Sequence, residues 1–138
     1  MGVTLTTHDT SFAEPDSATI ATVLRALDGR VQVVATLAHS DLTFLQATGS
    51  AAEGFALEYQ DGSLDRHYRG RTPTLALAPA TDVFQKYARG DASWREALEW
   101  EHVPFVRPKI PWHSTWVGLI LLLALVIALF WFWRGPWG

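Results

Sequence analysis

Five histidines, His8, His39, His67, His102 and His113, are the side chains of this 138-residue chain best suited to proton transfer or metal ligation near neutral pH. They are scattered. No two stand four residues apart, and no H-E-x-x-H segment occurs, so the spacing of a helical metal site is missing. His39-Ser40-Asp41 joins the three residue types of a hydrolytic triad. Triad members converge from separate elements, however, and a polar tripeptide between two apolar runs reads as a hairpin turn. Asp61, Asp65 and His67 flank a second turn, and His67 with either carboxylate is the weakest of three functional readings, a membrane-bound enzyme. There is no cysteine, which excludes thiolate catalysis, disulfides and cysteine metal sites. Gly49 and Gly54 flank a loop without the Lys-Ser or Lys-Thr pair of a phosphate loop. No catalytic residue, metal ligand or cofactor ligand is predicted, and the protein is expected not to be an enzyme.

Charge divides the chain. Residues 1–103 carry eight Lys and Arg side chains against all fourteen acids, near −6, whereas residues 104–138 carry Arg107, Lys109 and Arg134 and no acid. A phosphate-binding surface wants clustered cations, so nucleic acid is not an expected partner.

The elements that would position a site fall in residues 16–103. Pro15-Asp16-Ser17 followed by Ile20, Val23, Leu24 and Leu27 predicts a capped helix with one apolar stripe, stopped at Gly29. Val31 to Leu37 is rich in β-branched residues and predicts a strand, with Thr43 to Ala47 returning. Phe55, Leu57 and Tyr59 alternate with polar or small residues, and Asp61-Gly62 marks a hairpin into Leu64–Tyr68. Thr74–Leu77 is a candidate further strand. Thr81 is expected to cap a helix over Asp82–Arg89, and a second short helix over Ala92–Trp100 to point Trp94, Ala97 and Leu98 inward. Glu96, Glu99 and Glu101 then form its wet face and are the candidates to meet a basic partner. The expected fold class is α+β, a small antiparallel β-meander with one N-terminal and two C-terminal helices on one face, followed by a single C-terminal transmembrane helix. Residues 1–15 are expected to be a flexible lead-in.

Pro104, Pro108 and Pro111 predict a stiff juxtamembrane spacer over residues 104–113. Residues 114–133 contain no charge. Twenty helical residues span roughly 30 Å, the thickness of a bilayer's hydrocarbon core. Leu119 to Leu129 is apolar all round, without the polar stripe of a helix that faces water. Trp112 and Trp116 stand at one end. Phe130, Trp131, Phe132, Trp133 and Trp137 stand at the other, as aromatic belts at the two headgroup levels, with Arg134 able to snorkel to water. Residues 134–138 form a short external tail. Arg107 and Lys109 before the span outnumber Arg134 after it, and Met1–Ser11 lacks the basic and apolar regions of a signal peptide. Both predict a tail-anchored protein of a bacterial inner membrane, N-terminus cytoplasmic and C-terminus periplasmic.

Two parts resemble known families. Trp131-Phe132-Trp133-Arg134-Gly135-Pro136-Trp137 resembles the W-x-W-R-P-W ending of light-harvesting β polypeptides of photosynthetic bacteria, with Gly135 as an insertion. In that family a histidine one turn earlier ligates bacteriochlorophyll. The matching position is Ile127, so pigment ligation is not implied here. What the resemblance does imply is an accessory subunit of a photosynthetic reaction centre–light-harvesting complex. Its aromatic end would touch bacteriochlorophyll, carotenoid or lipid without ligating it, and its partners would be integral membrane subunits. Residues 17–101 resemble in pattern small bacterial immunity-type domains, through F-A-L-E-Y-Q-D-G and F-Q-K-Y-A-R-G-D-A-S-W-R-E-A-L-E-W. That resemblance implies the alternative, a membrane-tethered binding module that neutralises a toxin or docks a soluble partner.

Overall fold

The computed structural model describes residues 2–107 and 119–128. They belong to two compact units divided after Phe105.

In the first unit seven antiparallel strands form one sheet. They are β1 (Thr4–Thr6), β2 (Ser11–Ala13), β3 (Val34–Ser40), β4 (Thr43–Ser50), β5 (Gly54–Asp61), β6 (His67–Gly70) and β7 (Trp100–His102), in the order β2-β1-β3-β4-β5-β6-β7. From β3 onward the sheet is a plain meander. The fold class is therefore α+β, as the sequence predicts.

Alternation along the strands separates the faces. One row of paired residues crosses the whole sheet: Phe12, Leu5, Leu37, Leu45, Tyr59, Tyr68 and His102. Helices α1 (Ser17–Ala26) and α2 (Leu77–Ala88) cover the apolar part of this face, and both lie against β4. Ile20, Leu24, Val83 and Phe84 meet Leu5, Leu37, Leu45, Phe55 and Leu57 there in a continuous core. The opposite face carries Thr6, Thr36, Gln46, Glu58, Arg69 and Glu101 in register. A polar row of this kind suits an antiparallel sheet with one wet side.

Local chemistry explains the helix ends. The Asp16 carboxylate accepts from the Thr19 N–H at 2.7 Å and caps α1. Asp28 closes the following loop by accepting from the N–H groups of Arg30, Val31 and Gln32. These bonds, led by the one from Arg30, hold its carboxyl below the usual carboxylate range.

Three expectations are corrected. Residues 1–15 are not a loose lead-in, because β1 and β2 pair there and Leu5 is fully buried against Leu37. Helix α2 starts at Leu77, not after a Thr81 cap, and Leu75 makes only an isolated bridge with Phe55. Pro79 is tolerated in its first turn, where an N–H would have no intrahelical acceptor and the one proline lacks is not missed. The second short helix is a 3-10 helix, Ala92–Ala97, capped by Asp91. Trp100 leaves it to pair with Gly70 as strand β7.

In the second unit residues 119–128 are helical. Ten residues rise about 15 Å, half a bilayer core. No helix among the described residues is long and apolar enough to cross a membrane. The remainder of the expected span, the rest of the proline spacer and the external tail lie outside the described residues.

Candidate functional site

Side chains with functional chemistry gather at the end of the sheet formed by β5, β6 and β7. Asp61 closes β5. Its carboxylate holds Arg66 at 2.6 Å and Arg95, from the 3-10 helix, at 3.2 Å. The Arg95 guanidinium lies over the Tyr59 and Trp94 rings, 5.5 and 5.1 Å from their centroids. Tyr59 stacks on Tyr68 at 4.8 Å, and Trp94 and Trp100 meet it edge-on at the same distance. Trp100 donates its indole N–H to the Arg95 carbonyl at 2.9 Å. The arrangement is a rigid aromatic block locked by one carboxylate between two guanidiniums. Burial raises the Tyr59 phenol above its ordinary value, with Arg95 opposing.

Tyr87 packs between Trp94 and His39, and burial pushes its hydroxyl up to about 12. That buried oxygen has no hydrogen-bond partner among the described residues.

On the open face the His67 ring nitrogen Nε2 lies 3.0 Å from the Glu58 carboxylate, and the ring tilts against Phe44. A histidine oriented by a carboxylate is two-thirds of a hydrolytic triad. Among the described residues no hydroxyl is hydrogen-bonded to the ring as a nucleophile would be. No group of three metal-binding side chains occurs among them either.

The sequence-level candidates are placed as follows. Asp61, Asp65 and His67 are not brought together. Asp61 is taken by the two arginines, His67 pairs with Glu58, and Asp65 offers its carbonyl to His102 Nε2 at 2.6 Å. His39 and Ser40 end β3 rather than forming the turn, and the His39 ring meets Tyr87. Glu96, Glu99 and Glu101 do not share a helix face. Glu96 is exposed on the 3-10 helix, Glu99 lies 3.9 Å from Arg71, and Glu101 of β7 lies 4.0 Å from Arg69. Trp112, Trp116, Phe130, Trp131, Phe132, Trp133, Arg134 and Trp137 lie outside the described residues.

Sequence reasoning missed Glu58, Arg66 and Arg95. Glu58 and His67 are diagonal neighbours across the β5–β6 hairpin, a contact legible only once the register Gln60↔His67 is known. Arg95 reaches Asp61 across 34 positions of sequence, and nothing local signals it.

No family model, curated protein or solved structure matches the chain.

Proposed function

We propose that the protein is a non-catalytic, single-pass accessory subunit of a large bacterial membrane complex. The observation that carries this reading is the helical stretch 119–128. Its large side chains, Leu119 to Leu123, Leu125, Val126 and Ile127, are 49–65% exposed on every side. A helix apolar all round has no face for water, and lipid or neighbouring apolar helices satisfy it. The uncharged sequence continues on both sides to the 20-residue length of a span, between Trp112/Trp116 and Trp131/Trp133/Trp137. Arg107 and Lys109 on one side against Arg134 on the other favour a cytoplasmic head and a periplasmic C-terminus.

The most specific form of the proposal is a subunit of a photosynthetic reaction centre–light-harvesting complex. The W-F-W-R-G-P-W ending supports it, and the aromatic side chains from Phe130 to Trp137 supply contact area for neighbouring helices, pigment or lipid. Ile127 in place of the ligating histidine makes that contact non-ligating. The acidic head suits basic cytoplasmic loops of such partners.

The test is mild-detergent purification through an N-terminal tag, with an absorption spectrum and mass spectrometry of what accompanies the protein. Co-purification of a pigmented multi-subunit assembly is expected, and its loss in Trp131→Leu/Trp133→Leu with membrane insertion retained. A colourless assembly removes the photosynthetic form. Recovery of the chain with a single soluble protein held by the head turns the reading to the tethered binding module. The self-contained core of the head favours that second reading, because such a unit can bind without its anchor.

A further inference from the structure

The sheet ends on one side at β2 and on the other at β7. In an antiparallel pair, residues that exchange hydrogen bonds alternate with residues whose N–H and C=O point away from the partner strand. The Glu14 N–H donates to the Val3 carbonyl and the Thr7 N–H to the Thr10 carbonyl, both at 2.8 Å. Leu5 and Phe12 are therefore the bonded pair between them, and Ser11 and Ala13 are the residues of β2 turned away from β1. Each presents one donor and one acceptor at the free edge.

Both edge strands have three residues and a proline two positions beyond them, Pro15 and Pro104, so charge is what separates them. Beside β7, Glu99 and Glu101 stand against Arg71 and Arg69. Ser11-Phe12-Ala13 carries none of the charges that guard an exposed strand. Asp9 precedes it, Glu14 and Asp16 follow it, and none of these acids pairs with a Lys or Arg among the described residues. No Lys or Arg occurs before Arg25. Hydrogen bonds, led by those of the Gln32 and Thr19 side chains respectively, hold the Asp9 and Asp16 carboxyls below the usual carboxylate range. Next to β2, Phe12, Val23, Ala26 and Leu27 line an apolar groove of about 180 Å³, and Asp9 borders it.

We propose that the free edge of β2 takes up an extended, basic segment of a partner protein as an added strand. Main-chain hydrogen bonds to Ser11 and Ala13 hold it, an apolar side chain enters the groove beside Phe12, and Lys or Arg at its two ends meet Asp9 and Glu14. A second copy of this chain is the poorer occupant. Its β2, laid antiparallel about Phe12, sets Thr10 against the copy's Glu14 and brings Asp9 between that Glu14 and the copy's Asp16, acid on acid. Nothing in this surface depends on the membrane span.

The probe is the fluorophore-labelled peptide acetyl-KKTLTKK-amide, titrated by anisotropy against the full chain in a nonionic detergent. Saturable binding is expected, with none by EETLTEE. Proline at position 13 removes an outward N–H and leaves the β1 ladder whole, as edge strands allow, so Ala13→Pro should keep the parent's melting temperature. It should bind the peptide about tenfold more weakly. Asp9→Asn together with Glu14→Gln is expected to weaken binding severalfold, whereas Glu96→Gln on the 3-10 helix leaves it unchanged. Absence of binding overturns the proposal. So does equal binding by a folded Ala13→Pro, which is adsorption of cations on an acidic surface. If Ala13→Pro melts early, hydrogen exchange of the parent decides. The peptide should slow the amides of Ser11 and Ala13, and unchanged exchange there refutes strand addition. Dimerisation without peptide that Ala13→Pro abolishes gives the edge to a second copy and overturns the basic partner.

Discussion

The core of the head and the stretch 119–128 draw on the same aliphatic residues to opposite effect. Leu5, Leu37 and Leu57 are fully buried although each stands between polar or small neighbours in sequence. Leu119 to Leu123 are contiguous, and all are more than half exposed. Alternation gives a strand one apolar face, which α1 and α2 cover, so the head makes its own apolar medium. A contiguous run on a helix points in every direction, so no single apolar face exists for one layer of helices to cover. Pattern, not composition, decides whether a leucine is a core residue or a demand for an external apolar solvent.

That contrast is sharpest at Phe84, fully buried where α2 meets the sheet. Phe84→Ala is expected to destabilise the head by about 3–5 kcal/mol, a large part of the 5–15 kcal/mol that holds a typical domain. Urea unfolding followed by tryptophan fluorescence measures it. In the apolar stretch Leu122→Ala should leave the same midpoint unchanged, and a shift comparable to that of Phe84→Ala breaks the comparison.

The reverse experiment loads the stretch with charge. Leu123→Arg places a guanidinium at the middle of the proposed span, at a cost of about 3 kcal/mol on insertion scales. Loss of membrane flotation is expected, with the near-ultraviolet circular dichroism of the head unaltered. Full retention in membranes sinks the lipid-facing reading.

A smaller effect belongs to the head alone. Gly54 opens β5 with φ +92°, and a Cβ there would stand 2.7 Å from the backbone of Thr74. Gly54→Ala is expected to lower stability by about 1–3 kcal/mol, from the left-handed conformation and the collision together. Differential scanning calorimetry reads it as a lower melting temperature, and an unchanged value shows that the Thr74 segment yields freely.

Legibility followed the range of the interactions. Helix α1 was readable because its Asp16 cap and its Ile20–Leu24 stripe lie within ten residues, and the central strands because Phe55, Leu57 and Tyr59 alternate over five. The hairpin of β1 and β2 was not. Each strand has three residues and one large apolar side chain, too short a run for periodicity, and β1 is fixed by pairing with β3 some thirty positions on. Trp100 continued a helical pattern locally but was claimed by β6. The candidate site was legible only as a set of residue types around the Asp61–Gly62 turn. Its actual pairs, Glu58 with His67 and Asp61 with Arg95, depend on register and on packing of the 3-10 helix.

Within the head's own core one residue departs from the rule that burial satisfies every group. Tyr87 is buried among Trp94, His39 and the sheet, yet its hydroxyl lacks a partner among the described residues. An unpaired buried hydroxyl costs stability, so Tyr87→Phe is expected to be neutral or to stabilise by up to about 1 kcal/mol at pH 7, where most substitutions of buried aromatics destabilise. The pH dependence has a definite sign. The folded value of about 12 lies above the ordinary 10, so the folded state keeps this proton while the unfolded chain releases it. Below pH 10 both states are protonated and stability does not depend on this group. From pH 10 to about 12 stability falls as the unfolded chain ionises. Tyr87→Phe should flatten that decline in urea titrations between neutral and alkaline pH. An equally steep decline in the variant assigns the alkaline sensitivity elsewhere, first to Tyr59, whose phenol burial also raises.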